Sequence, residues 1–121
     1  MMRESPVLKA CKDWLQFQKN QEKLWFTRLN SGKLIVKNKD GSNRMVQLCE
    51  KGTADLLVVQ QTTWIDHLWE ERKKPRIIFV ETKSTNGKLS LAQEAFRDMV
   101  IAQGAEYLLV KDVDEMIRVL E

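Results

Sequence analysis

The segment Arg76–Lys83 (RIIFVETK) restricts the folds open to this chain more than any other. Strand alternation places Ile77, Phe79, Glu81 and Lys83 on one face and Ile78, Val80 and Thr82 on the other. Ile77–Val80 is apolar on both faces, which is the pattern of a central strand covered by other elements on both sides. A second run, Asp55–Gln60 (DLLVVQ), is likewise too short for a helix and rich in β-branched residues. Each run breaks its own pattern once. Asp55 shares a face with Leu57 and Val59, and Glu81 and Lys83 emerge where apolar residues are expected.

The flanking segments supply helices. Ser5-Pro6 has the form of a helix start, with Ser5 as N-cap and Pro6 at the first helical position. Val7, Cys11, Trp14, Leu15 and Gln18 follow with helical spacing, which predicts a helix over 6–20. Leu24–Leu29 reads as a strand, and Leu34–Lys37 and Arg44–Leu48 as short strands around the Asp40-Gly41 turn. Ser90 and Gln93 have capping-box spacing before an amphipathic stretch that ends at Gly104. Tyr107–Val110 reads as a strand, and Asp112 with Glu115 opens a last helix over Val113–Leu120. The expectation is a single domain, residues 1–121, with a mixed sheet flanked by helices in an α/β layer arrangement.

Composition narrows the classes. With 43% hydrophobic and 31% charged residues the chain has an ordinary globular mixture. No apolar run reaches the ~18 residues of a membrane span, and the N-terminus lacks the pattern of a signal peptide, so a cytoplasmic chain is expected. Cys11 and Cys49 alone cannot form a four-ligand zinc site, and His67 is the single histidine. Residues 1–51 hold 11 Lys/Arg against 5 Asp/Glu, and residues 52–121 hold 9 against 12. That basic front half suits a polyanionic partner and equally suits a solvated surface.

The two pattern breaks can meet. In an antiparallel hairpin whose register opposes Asp55 to Glu81, Leu57 faces Phe79 and Val59 faces Ile77. Directly opposed side chains have Cβ atoms ~4.5–5.5 Å apart, so both carboxylates could hold one cation. Unpaired, they would repel and one pKa would rise. A hard divalent ion such as Mg²⁺ relieves that repulsion through oxygen ligands. Lys83 lies one pleat beyond, within reach of a water or of charge developing on a phosphate. The competing reading makes Asp55 a turn residue beside Gly52 and Glu81–Lys83 a strand-end ion pair of little energetic weight.

A longer ordered pattern accompanies the pair. It comprises Glu4-Ser5-Pro6-Val7-Leu8, Arg28-Leu29-Asn30-Ser31-Gly32, Lys51-Gly52-Thr53-Ala54-Asp55, Glu81-Thr82-Lys83, and Gly87-Lys88-Leu89-Ser90-Leu91-Ala92-Gln93 leading to Phe96. Gly104, Tyr107-Leu108-Leu109-Val110 and Asp114-Glu115 close it. In this order the chain resembles the VRR-NUC (virus-type replication–repair nuclease) family of the PD-(D/E)XK nucleases over nearly its whole length, in the compact stand-alone form found in phages. Ala54 departs from the proline of the superfamily name.

The resemblance implies a restriction-endonuclease-like fold and Mg²⁺ or Mn²⁺ as cofactor. Asp55 and Glu81 would be metal carboxylates, Lys83 the catalytic lysine, and the Thr82 carbonyl a further metal ligand. Glu4 would complete the site from the first helix, against the alternative that it serves the helix dipole. Gln93 would stand near the site, against the alternative that it only caps its helix. The implied activity is a metal-dependent, structure-selective DNA endonuclease, resolving Holliday junctions as a homodimer in the cytoplasm of a host cell. The alternatives are a flap- or end-directed nuclease and a non-catalytic nucleic-acid-binding subunit of a larger replication–repair complex.

Other residues carry weaker expectations. Trp64, Ile65, Leu68 and Trp69 suggest a short helix in the connection 61–75, either packed beneath a loop or forming a subunit interface or a wedge against DNA. Arg72, Lys73, Lys74 and Arg76, and Arg28, Lys33, Lys37, Lys39 and Arg44, could meet phosphates, with Arg28 and Lys51 nearest the motif segments. Neither cysteine has a histidine neighbour in sequence to activate it.

Overall fold

The computed structural model describes residues 5–121. Glu4 therefore lies outside the described residues. Three helices and six strands follow in the order α1 (Pro6–Asn20), β1 (Trp25–Arg28), β2 (Lys33–Lys37), β3 (Asn43–Gln47), β4 (Leu56–Ile65), β5 (Glu71–Thr82), α2 (Leu91–Ala102), β6 (Glu106–Val110) and α3 (Val113–Leu120). The helix starts are those expected. Ser5 Oγ accepts the Leu8 N–H at 3.1 Å, and Ser90 and Gln93 form a reciprocal capping box. At α3, Asp112 caps the Glu115 N–H, while the Glu115 carboxylate accepts the N–H of Lys111 rather than that of the cap residue.

The main sheet is mixed, in the order β1-β4-β5-β6. β4 runs antiparallel to β1 and β5, and β6 runs parallel to β5. The β4–β5 register pairs Leu57 with Phe79 and Val59 with Ile77, as the apolar pattern requires. Ile78 and Val80, with Leu56 and Val58, face a core built with Leu8, Cys11 and Leu15 of α1 and Met116 and Leu120 of α3. On the opposite face Phe79 meets Phe96 of α2 edge-on, with ring centroids 5.2 Å apart. The central strand is thus covered on both sides at Phe79 and Val80, though Ile77 stays 46% exposed, and the protein is a mixed α/β layer structure. None of the described helices is long and apolar enough to cross a membrane.

Two departures from the sequence expectation concern the hairpins. β2 and β3 form their own two-stranded sheet. More substantially, residues 61–75 are not a loose connection and contain no helix. β4 continues to Ile65 and β5 begins at Glu71, leaving only 66–70 as the turn. Asp66 organises that turn. Its Oδ1 accepts the N–H groups of Leu68 and Glu70, and its Oδ2 accepts Arg72 Nε at 2.7 Å. These bonds hold Trp69 in the left-handed region at φ 62°, where side chains are normally strained. Trp64, Ile65, Leu68 and Trp69 do not pack beneath a loop; Trp69 is 87% exposed. β1 begins opposite Val59 and β6 begins opposite Ile78, so the distal part of β4–β5 is a two-stranded ribbon.

Candidate metal and phosphate site

Asp55 precedes β4 and Glu81 lies near the end of β5, so one step beyond the Leu56–Val80 pair the register brings them together. The loop before Asp55 is pressed onto α2. Gly52 has φ +92°, and a Cβ there would stand 2.3 Å from the Ala92 carbonyl oxygen. Only glycine permits this approach and this backbone conformation. The contact ties the position of Asp55 to the first turn of α2, the turn that carries Gln93.

Asp55 is held firmly. Thr82 donates twice to its Oδ2, from the backbone N–H at 2.8 Å and from the hydroxyl at 2.7 Å. The Asp55 carbonyl accepts the Leu29 N–H at 2.7 Å and Arg28 Nη1 at 3.0 Å. Arg28 also donates to the Leu29 carbonyl and stands 3.8 Å from Asp55 Oδ1. Thr82 thereby acquires a role that its sequence position did not announce: its hydroxyl and N–H orient Asp55.

Glu81 is only 3% exposed. Its Oε1 accepts Gln93 Nε2 at 3.1 Å and lies 3.7 Å from Lys83 Nζ. Its Oε2 is buried with no hydrogen-bond partner among the described residues. Burial, reinforced by the charge of Asp55, pushes the Glu81 pKa up to about 7, against the opposing pull of Lys83 and Arg28.

The Gln93 side chain bonds in two directions. Its Oε1 accepts the Ser90 N–H at 2.8 Å, completing the cap, and its Nε2 donates to Glu81. The cap fixes which end of the amide faces the carboxylate. The structure thus gathers Asp55, Glu81, Thr82, Lys83 and Gln93, with Arg28 at the edge. Lys51 lies apart from this set of contacts, along a groove floored by Ala92, Ala95, Phe96 and Met99.

The donor chemistry fits a hard divalent cation. Glu81 Oε2 is an orphaned buried oxygen, and Asp55 Oδ1 accepts no hydrogen bond from the described residues. No group of three His, Cys, Asp or Glu gathers among the described residues; the carboxylates brought together here are the pair Asp55 and Glu81. Such a pair is the usual protein share of a magnesium site, since Mg²⁺ retains several waters.

Cys11 takes no part in this chemistry. It is fully buried, and burial, then the charges of Asp112 and Asp55, push its thiol up to about 11. His67 is exposed in the ribbon turn. No protein-family model matches the chain, and no curated protein matches it.

Proposed function

We propose that this chain is a divalent-metal-dependent, structure-selective DNA endonuclease with a restriction-endonuclease-like fold, akin to stand-alone VRR-NUC nucleases. The observation that carries the reading is the buried, unpartnered Glu81 Oε2 beside Asp55, with Lys83 just past the end of the same strand. Asp55 and Glu81 would hold Mg²⁺ or Mn²⁺. When bound, that ion supplies Lewis-acid polarisation of the scissile phosphate and makes a bound water more acidic.

The chain's own residues prepare the rest. Thr82 locks the Asp55 carboxylate through two donors, and Gln93 fixes Glu81 from α2. Lys83 is a partly exposed ammonium next to these carboxylates, placed to orient a water or offset charge accumulating on the phosphate. Arg28 adds a second cation at the rim for a DNA phosphate. None of these residues reads bases, so recognition rests on backbone and shape.

A homodimer belongs to the same proposal. A C2 pair of sites matches the two symmetric cuts that resolve a four-way junction. The ribbon supplies support. At ~3.3 Å per residue its turn lies roughly 30 Å from Asp55, too far to act as a wedge at the phosphate cut by its own chain. Its two outer edges also differ in kind. Glu71–Arg76 (ERKKPR) carries charge and Pro75, which resist strand addition, whereas Gln60–Ile65 (QQTTWI) has neither. The uncharged edge can pair antiparallel with itself across a two-fold axis.

One observation favours a second reading, a nucleic-acid-binding subunit without cleavage. Arg28 faces Asp55 and Lys83 faces Glu81, so the two carboxylates are charge-matched without an ion. Incubating the purified chain with labelled four-way junctions, flaps and linear duplex decides among these readings. Cleavage of junctions in Mg²⁺ or Mn²⁺, with binding but no turnover in Ca²⁺, supports the resolvase. Cleavage confined to flaps or ends keeps the nuclease and removes the resolvase. Junction binding without cleavage in any metal selects the non-catalytic reading.

A further inference from the structure

Tyr107 is the single tyrosine of the chain. It stands in β6 beside Phe79, with Leu109 beside Glu81 in the same parallel register. Its ring is therefore on the α2 side of the sheet, one pleat below Glu81 on the neighbouring strand. Phe96 fixes the ring from above at a centroid distance of 6.3 Å. The Tyr107 hydroxyl, like Glu81 Oε2, is buried with no hydrogen-bond partner among the described residues. Buried polar atoms are almost always paired with protein or with ordered water. Here one atom is a donor, the other is an acceptor once the carboxyl is ionised, and contacts to Phe96 and Gln93 of α2 put both side chains on the α2 side of the sheet. The hydroxyl also feels its neighbour. Burial first, and then the Glu81 charge, raise its pKa above the ordinary tyrosine range.

We propose that Tyr107 is a positioning residue for Glu81, its O–H linked to Oε2 through one buried water. The two atoms make no direct bond, and a single water can accept from the phenol and donate to the carboxylate. The Glu81 carboxylate is then fixed from both layers. Gln93 of α2 holds Oε1, and Tyr107 of β6 sets Oε2, the oxygen a metal would take. The link itself is independent of cleavage; its consequence for metal binding rests on the proposed metal site.

The single tyrosine makes a direct test possible. Tyrosine labelled with ¹³C at Cζ gives one resonance that reports the hydrogen bonding of the hydroxyl. Glu81→Gln should shift it in the metal-free protein, while Asn43→Ala, in the separate β2–β3 hairpin, should not. Tyr107→Phe should weaken Mn²⁺ binding about tenfold, the usual scale for a residue that orients a metal ligand. A resonance indifferent to Glu81→Gln overturns the link. A resonance that responds, with Mn²⁺ binding unchanged in Tyr107→Phe, overturns the positioning role. If the resonance responds but the wild-type chain binds no Mn²⁺, the link stands and the metal-site reading fails instead.

Discussion

Gln93 concentrates the residue-scale logic, because one amide caps a helix with its oxygen and reaches a buried carboxylate with its nitrogen. The two functions can be separated. Gln93→Glu keeps an acceptor for the Ser90 N–H, removes the donor to Glu81 and sets a like charge against it. It should keep its helix content by circular dichroism while lowering cleavage at least tenfold. Gln93→Ala should add the loss of the cap, about 1 kcal/mol by urea unfolding. Equal activity in wild type and Gln93→Glu would remove Gln93 from the site. The cap was legible from the Ser90–Gln93 spacing. The reach to Glu81 required knowing how close α2 lies to β5, which spacing does not encode.

Glu81 sets a pH dependence of the metal-free fold. Its pKa is about 7 in the native state against an ordinary 4.5. Between these values the native state keeps a proton that the unfolded chain has released, so stability falls as pH rises through that window. Glu81→Gln cannot ionise and should escape the loss. In EDTA it should exceed wild type by up to about 3 kcal/mol at pH 8 and approach it at pH 4.5, by urea unfolding. Parallel pH profiles for the two proteins would contradict the burial of this carboxylate.

Among the elements, the β4–β5 hairpin shows where sequence patterning speaks and where it is silent. Near the site each strand is apolar and buried on its α1–α3 face, so only one register keeps Leu57 on Phe79 and Val59 on Ile77, and it was readable in advance. In the ribbon both faces meet solvent, so no period distinguishes QQTTWI or ERKKPR from a loop. The spacing of Trp64, Leu68 and Trp69 then imitated a helix. Thr62 and Thr63 suit extended backbone, and the Asp66 turn completes the hairpin. If the uncharged β4 edge joins two copies, Thr63→Lys should convert the dimer to a monomer in light scattering. The wild type should run at twice the 14.2 kDa chain mass. A wild-type monomer at micromolar concentration would remove the dimer, and an undisturbed Thr63→Lys dimer would move its interface.

The loop before β4 makes a second prediction at this scale. Gly52→Ala places a methyl group against the Ala92 carbonyl oxygen at a positive φ. It should cost about 2 kcal/mol or more in urea unfolding. A change under 0.5 kcal/mol would show that the loop yields easily and does not register Asp55 against α2.

At the scale of the whole molecule, the layer order was legible because Ile78–Val80 demanded cover on both faces, and α1 with α3 on one side and α2 on the other provide it, while Ile77 is left 46% exposed. The separation of β2–β3 from the main sheet was not, since short hairpins look alike whether or not they join a larger sheet. In sequence Tyr107 opens an apolar strand; its orphaned hydroxyl becomes visible once β6 lies parallel to β5. The polar intrusions Asp55 and Glu81 were the most informative letters, because in buried strands a charge demands a physical reason.

The claim on which the functional reading turns is that Asp55 and Glu81 together hold one divalent cation. Mn²⁺ binding followed by electron paramagnetic resonance tests it without any choice of DNA substrate. Wild type should bind Mn²⁺, and Asp55→Asn and Glu81→Gln should each weaken that binding by tenfold or more while remaining folded by circular dichroism. Equal Mn²⁺ binding by all three proteins would contradict the assignment.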